Sequence, residues 1–404
     1  MSAISGKKTA KVFAKKDNFI HQMLSSRGTS AKRLPLVFVF PLLISLLVIV
    51  GTTIPAMADD PCPSTTCDGQ YYSQFGPYST KFPNLDYINA WQAYELGFTG
   101  YGIRVGVIDS NFSDTHRELI GRSTGVLVNT PITIVHIMQG VHVGGTIAAS
   151  RTILSDAHSS IYGSGMQGVA YEASIYTAAN YLNYDGELSR FLDPTLSDIK
   201  VINNSWGYSK DSSLISMFSA DGNVNTNLIS YIAQNVDNLL SSSDVLLVFA
   251  AGNDGLITPN IPAALPSLFY GSTLYTGSTV QKLITTGSER IGTNIISVMN
   301  FNPIFNSTSI SFINPETNLA DGADWYSLLA PGTSVISTIP YTTSLENPYG
   351  SLTGTSVAAP HVAGVAALVQ QAFYGIEGKL IGDILLTTAK KLTLADLPPF
   401  IIKR

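Results

Sequence analysis

The segment Gly354-Thr355-Ser356-Val357-Ala358-Ala359-Pro360-His361-Val362-Ala363-Gly364 decides how this 404-residue chain is read. It is a loop running into a helix. Gly354 permits a sharp turn. Ser356 stands where the helix should start, and Pro360 suits a helix only in its first turn. The residues behind them, Ala358, Ala359, Ala363, Gly364, Ala366 and Ala367, are small enough for close burial against neighbours. A serine at that point lies among unpaired backbone N–H groups at the positive end of the helix dipole, where developing negative charge is stabilised. Alone, the segment equally describes an N-capped core helix. What else the chain carries decides between the two.

Working outward, Ile103 to Ile108 is an apolar run that ends at Asp109. Ser174 to Ala178, Val201-Ile202-Asn203 and Val245 to Ala250 are further short strand-like runs. Helical patterns lie between or beside them: Tyr87 to Tyr94, the small-residue stretch after His142, Leu228 to Leu240, and Leu380 to Lys391. Apolar strands without polar alternation imply a parallel sheet covered on both faces. The expected fold is therefore α/β, a three-layer α/β/α arrangement around a central, mostly parallel sheet. No internal repeat is visible, and no boundary breaks residues 84–396. Residues 255–330 are rich in Asn, Ser, Thr and Pro and are expected to hold surface loops.

Composition narrows the partners. Hydrophobic residues make up 45% and charged residues 13%, enough for one large core or two ordinary ones. A net charge of −5 leaves no footprint for nucleic acid. The basic residues crowd the start: eight Lys and Arg precede residue 34, with Asp17 as the one acid among them. Residues 34–50 are apolar, and Ala56-Met57-Ala58 is a small-residue pattern of the kind cut after export. Residues 1–58 therefore read as an export signal with cleavage near Ala58. Residues 59–83 read as an extended lead-in, 84–396 as the main domain and 397–404 as a tail. The competing reading keeps 34–50 as an uncleaved anchor with the domain outside. Membrane contact is then confined to 34–50; otherwise the chain is secreted or periplasmic, and monomeric. Cys62 and Cys67 could close one small ring but cannot form a metal cage alone.

Serine acyl transfer needs a nucleophile, an imidazole base and a carboxylate that orients the base. Asp109 sits at the C-terminal end of a strand, the edge where open α/β sheets build their sites. Asp114 is a competitor, less well placed in the following loop. Among six histidines, His142 opens the small-residue helix; His136 reads as a strand-end residue, and His361 as packing within the Ser356 helix. Asn253, at the end of Phe249-Ala250-Ala251-Gly252-Asn253, could donate its side-chain amide to an oxyanion beside the Ser356 N–H.

Four blocks carry a resemblance: Val105-Gly106-Val107-Ile108-Asp109-Ser110, Gly140-Val141-His142-Val143-Gly144-Gly145-Thr146-Ile147-Ala148, Ala250-Ala251-Gly252-Asn253, and Gly354 to His361. Together, in this order, they resemble the signature blocks of the subtilisin-like serine proteases. Asn204-Ser205-Trp206-Gly207, Ile261-Pro262-Ala263 and Ala323-Asp324-Trp325 resemble in particular the subtilase passenger domains of bacterial autotransporters.

The resemblance implies an exported serine endopeptidase acting on a polypeptide through Asp109, His142 and Ser356, with Asn253 in the oxyanion hole. It implies that Ser205-Trp206-Gly207 pairs with an extended peptide. With Ala251 and Gly252, that segment would wall the pocket for the residue before the scissile bond. Trp206 beside the cleft suggests tolerance of apolar side chains. An acyl transferase (peptide ligase or cyclase) uses the same residues, and a non-catalytic peptide-binding relative would keep the same fold. The chemistry requires no cofactor or metal. Structural calcium is a family trait, but no oxygen-ligand loop supports it here, and Glu118 reads as a solvated surface acid. The departures from the family pattern are Asn111 after Asp109-Ser110, and Gln139-Gly140-Val141 ahead of His142.

Overall fold

The apolar runs 103–109, 174–178, 201–203 and 245–250 become strands, because the side chains of a strand alternate between two faces and both faces are covered here. The computed structural model describes residues 36–37, 83–110, 112, 116–126, 134–151, 166–179, 187–208, 226–273, 279–280, 289–303, 313–340 and 349–391. All of them belong to one unit, Leu34–Arg404. The Cys62–Cys67 pair, the cleavage pattern, Asn111, Asp114 and most of the apolar run 34–50 lie outside the described residues.

Seven strands form the sheet's body: β1 (Arg104–Asp109), β2 (Ser123–Val126), β3 (Ser174–Ala179), β4 (Val201–Asn204), β5 (Leu246–Ala250), β6 (Ile295–Phe301) and β7 (Ser327–Pro331). Their order is β7-β6-β5-β4-β1-β3-β2, and every neighbouring pair is parallel. Leu36–Val37 and Lys390–Lys391 add two short strands beyond β7. The order runs outward in both directions from β1 and β4, so the crevice at their carboxyl ends is the switch point at which such sheets bind ligands. Asp109 ends β1 there, and Ser205 follows β4.

Helices cover both faces. Val105, Val107, Val201, Leu246 and Val248 face a core shared with α6 (Thr355–Ala372) and α7 (Gly378–Thr388). The same core takes in the described part of α3 (Ile134–Ala148) and the two short helices α1 (Pro83–Tyr87) and α2 (Ala90–Glu95). Ile108, Ile202, Leu247 and Phe249 face the opposite core, against α4 (Thr226–Ser242) and α5 (Leu265–Tyr270). This is the three-layer α/β/α architecture expected. No helix among the described residues is long and apolar enough to cross a membrane.

Two local expectations are corrected. The helical spacing of 87–94 is not one helix, because Asn89 adopts a left-handed conformation at φ 52° and separates α1 from α2. Pro360 is not in the first turn of α6; it is inside the helix. A proline has no N–H to offer the carbonyl four residues back. That carbonyl belongs to Ser356, and it accepts the Ser205 hydroxyl at 2.7 Å instead. The gap in the helix ladder thus fastens the start of α6 to the segment after β4. Small residues let α6 lie deep: a Cβ on Gly364 would stand 2.6 Å from the Val169 Cβ.

Candidate active site

The turn into α6 is tied to the end of β5. The Thr355 N–H donates to Asn253 Oδ1 at 2.8 Å, and the Gly252 N–H donates to Thr355 Oγ1 at 3.1 Å. With Oδ1 held by Thr355, Asn253 Nδ2 points elsewhere. A Cβ on Gly354 would lie 3.3 Å from that Nδ2 and 3.1 Å from Ser356 Oγ. Glycine at 354 therefore keeps open the space that the serine hydroxyl and the amide share. The Ser356 N–H belongs to the first turn of α6, whose N–H groups have no partner within the helix. Ser356 Oγ and Asn253 Nδ2 thus both border the space left at Gly354. A carbonyl carbon at Oγ with its oxygen toward Nδ2 and the helix start would have its negative charge stabilised as it forms.

Asp109 ends β1 at 3% exposure. Its Oδ1 accepts the N–H and hydroxyl of Ser110 at 2.7 and 3.0 Å, while Oδ2 is sealed without a partner. Burial pushes the carboxyl up to about 7, against the opposing hydrogen bonds from Ser110.

His142 is not where a base is needed. Its ring is fully buried in α3, and Nε2 donates to the Val335 carbonyl at 3.0 Å. Nδ1 is sealed with no partner. A triad imidazole accepts the serine proton at Nε2 and donates from Nδ1 to the carboxylate; neither contact is made. The expectation of an Asp109-His142-Ser356 triad is thus corrected for this structure. The cause is the phase of α3. Position 142 falls on the face that packs against the hairpin of β8 (Val335–Thr338) and β9 (Tyr349–Leu352). Ser337 and Thr338 hydroxyls donate to the carbonyls of His142 and Val141, both at 2.8 Å, so helix and hairpin are clamped together. Burial depresses the His142 pKa to about 4, outweighing the hydrogen bond with the Val335 carbonyl.

Among the described residues of α3, Gln139, one turn earlier, reaches Ser205. It is half-buried, and its Nε2 donates to the Ser205 carbonyl at 3.0 Å. Ser205 is the residue whose hydroxyl holds Ser356. In the sequence Gln139 stands out only as a departure from the family pattern, because an amide does not titrate. The available signal was helical phase: the slot facing the strand is one turn ahead of the wholly buried His142. An amide cannot take a proton from serine at neutral pH. His136 lies within α3, not at a strand end as expected, three residues before Gln139. His361 packs as expected, with Nδ1 3.0 Å from the Val357 carbonyl and Nε2 2.9 Å from Asn84 Nδ2.

Gly207 and Gly252 both stand against the Asn260 side chain, where the peptide cleft is expected. Trp206 turns away from it. Its ring is buried, packs edge-on against Phe249 and Tyr208, and donates Nε1–H to Asn204 Oδ1 at 3.2 Å. It therefore does not widen the pocket for apolar side chains, contrary to expectation. Glu118 is no surface acid either: it is 3% exposed, accepts the Tyr349 hydroxyl at 2.6 Å and pairs with Arg117 at 3.3 Å. With its carboxylate so engaged it does not fit a calcium ligand. Among the described residues no group of three or more His, Cys, Asp or Glu could hold a metal.

Comparison with known proteins follows the same outline. The model of the subtilase family, Peptidase_S8, matches residues 100–399. An extracellular serine protease of Serratia marcescens is 30% identical over 373 residues, covering 78% of this chain and 32% of that protein. Subtilisin E of Bacillus subtilis is 28% identical over 303 residues, covering 74% of this chain and 62% of that protein. The chain thus spans less than two thirds of either relative. The solved structure of the prenylagaramide maturation protease PagA superposes with a TM-score of 0.51 at 19% identity, over 76% of this chain and 90% of that one, which shows the shared fold. The family and the names of these relatives support a serine peptidase in general.

Proposed function

Because this chain belongs to the subtilase family, we propose that it is an exported member that binds polypeptide in the family's cleft, with no imidazole among the described residues beside its serine. The extended peptide lies against Ser205-Trp206-Gly207 by strand addition, with its carbonyl at Ser356 and Asn253. Export is supported by the basic, apolar and small-residue order of residues 1–58, and by the Serratia relative's description as extracellular. The observation that carries the reading is the pair of contacts on α3: His142 Nε2 on the Val335 carbonyl, Gln139 Nε2 on the Ser205 carbonyl. Loss of the base alone from a serine triad lowers turnover by about 10⁶-fold.

A second reading, hydrolysis by a serine endopeptidase, is favoured by one observation. The Thr355–Asn253 bond keeps an amide donor beside the nucleophile. It requires a base other than His142 as placed here.

A fluorogenic peptide assay on the full chain separates the two, with Ser356→Ala as control. The peptide-binding reading expects turnover indistinguishable from Ser356→Ala, while both proteins bind peptide. Rapid turnover that Ser356→Ala abolishes would overturn it. His136→Ala and His142→Ala would then identify the base, and product mass would separate hydrolysis, which adds water, from ligation, which does not.

A further inference from the structure

β4 ends at Asn204, the last of its residues paired with β1 and β5, so Ser205-Trp206-Gly207 lies outside both ladders. In an extended segment the backbone groups of Ser205 and Gly207, two residues apart, face the same side. They differ in availability. Gly207 is exposed. Ser205 is 2% exposed, and its carbonyl already accepts Gln139 Nε2–H at 3.0 Å, from a side chain that is itself half-buried. The Ser205 hydroxyl is committed as well: it accepts from Asn203 Nδ2 at 2.9 Å and donates to the Ser356 carbonyl at 2.7 Å. Ser205 is therefore fixed beside the nucleophile with its main-chain acceptor occupied and its surroundings closed to a second donor.

An extended peptide with a carbonyl at Ser356 brings the residue that owns it opposite Ser205. The N–H of that residue arrives at a carbonyl held by Gln139. It must displace the amide or stay unpaired, and either outcome costs affinity. A residue without an N–H avoids both. Resting on the peptide-binding reading, we infer that Gln139 is a specificity-determining residue: it selects peptides whose residue at Ser356 has no main-chain N–H, proline or an N-alkylated residue. The preference is confined to one register. Two residues earlier the peptide meets exposed Gly207, whose carbonyl is open to an N–H, so an ordinary residue is favoured there.

The test uses fluorescein-labelled peptides that differ only at the residue facing Ser356, alanine, proline or N-methylalanine, titrated into the full chain carrying Ser356→Ala. The proline and N-methylalanine peptides are expected to bind about tenfold tighter than the alanine peptide, the worth of one hydrogen bond. N-methylalanine separates the missing N–H from the shape of the proline ring. Adding Gln139→Leu or Gln139→Met, which are of similar size but donate nothing, frees the Ser205 carbonyl. The alanine peptide should then tighten by about tenfold while the other two change by less than about twofold; a purely structural role for Gln139 would shift all three together. Proline placed two residues earlier should weaken binding in parent and variants alike. Alanine binding as tightly as proline in the parent, through Ser205 or through Gln139 Oε1, overturns the inference and leaves the peptide-binding reading intact. So does a preference for proline that persists in both Gln139 variants. Failure of every peptide to bind overturns the peptide-binding reading, and this inference with it.

Discussion

The two sides of the cleft differ in how their polar atoms are matched. On the nucleophile side three bonds tie the backbone together: Thr355 N–H with Asn253 Oδ1, Gly252 N–H with Thr355 Oγ1, Ser205 Oγ–H with the Ser356 carbonyl. On the proton-relay side Asp109 Oδ2, His142 Nδ1 and Asn203 Oδ1 are all buried without a partner. Native folds leave few such groups, and each costs about 1–3 kcal/mol. The difference teaches that oxyanion geometry and proton transfer are separable properties here. The first comes from the β5–α6 strap and holds whether or not the second works. The second depends on which residue of α3 faces the segment after β4, and among the described residues that is the Gln139 amide.

The largest way to break this contrast is to supply the missing group. Gln139→His puts an imidazole one turn ahead of His142, on the side of α3 that reaches Ser205, with the unpartnered Asp109 Oδ2 available to an imidazole N–H. General acid–base catalysis contributes about 10²–10⁴-fold. Peptide turnover should rise by that factor over the parent. In the Gln139→His background, Asn253→Ala should then remove about 10²–10³-fold of kcat with little change in KM. Kinetics on one fluorogenic substrate reads both. A Gln139→His protein as slow as its parent would mean that the relay side lacks more than an imidazole.

The sheet and the Ser356 turn were legible because both are local. Apolar runs such as 245–250 read as strands from their own residues, and a strand end places Asp109 or Asn253 without knowledge of any partner. The relay side was not legible, because it depends on rotation about a helix axis. Gln139, His142 and the stretch between them look alike in pattern, and only the Ser337 and Thr338 hydroxyls of a distant hairpin fix which face turns inward. The same holds for Glu118, whose Tyr349 partner is 231 residues away. It holds again for Pro360, tolerated within α6 because Ser205, from the segment after β4, takes over the carbonyl it leaves.

The smallest expected effect is on titration. His142 and His361 are held near pKa 4 by burial, His361 also by the nearby charge of His142, so both are neutral in the fold. Their contribution to stability is whole above pH 6.5 and is lost as pH falls through 4. Asp109 has the opposite sign: raised to about 7, it holds a proton that the unfolded chain releases near 3.8, so its contribution is lost as pH rises through 7. Between pH 4 and 6.5 the unfolded state carries two of these protons and the fold one. Stability should therefore climb by about 1.4 kcal/mol per pH unit, and Asp109→Asn should roughly double that slope. Denaturant midpoints across this range measure it. The ring itself gives the finer test. An imidazole hydrogen-bonded to Asp109 would lose at least a unit of pKa when the carboxylate became an amide. One turned toward Val335 should move by less than about 0.3 units, a small fraction of the shift a direct pair produces. An NMR titration of His142 in the parent and in Asp109→Asn decides it. A drop of a full unit would mean that carboxylate and imidazole interact directly after all, leaving the cleft with two matched sides.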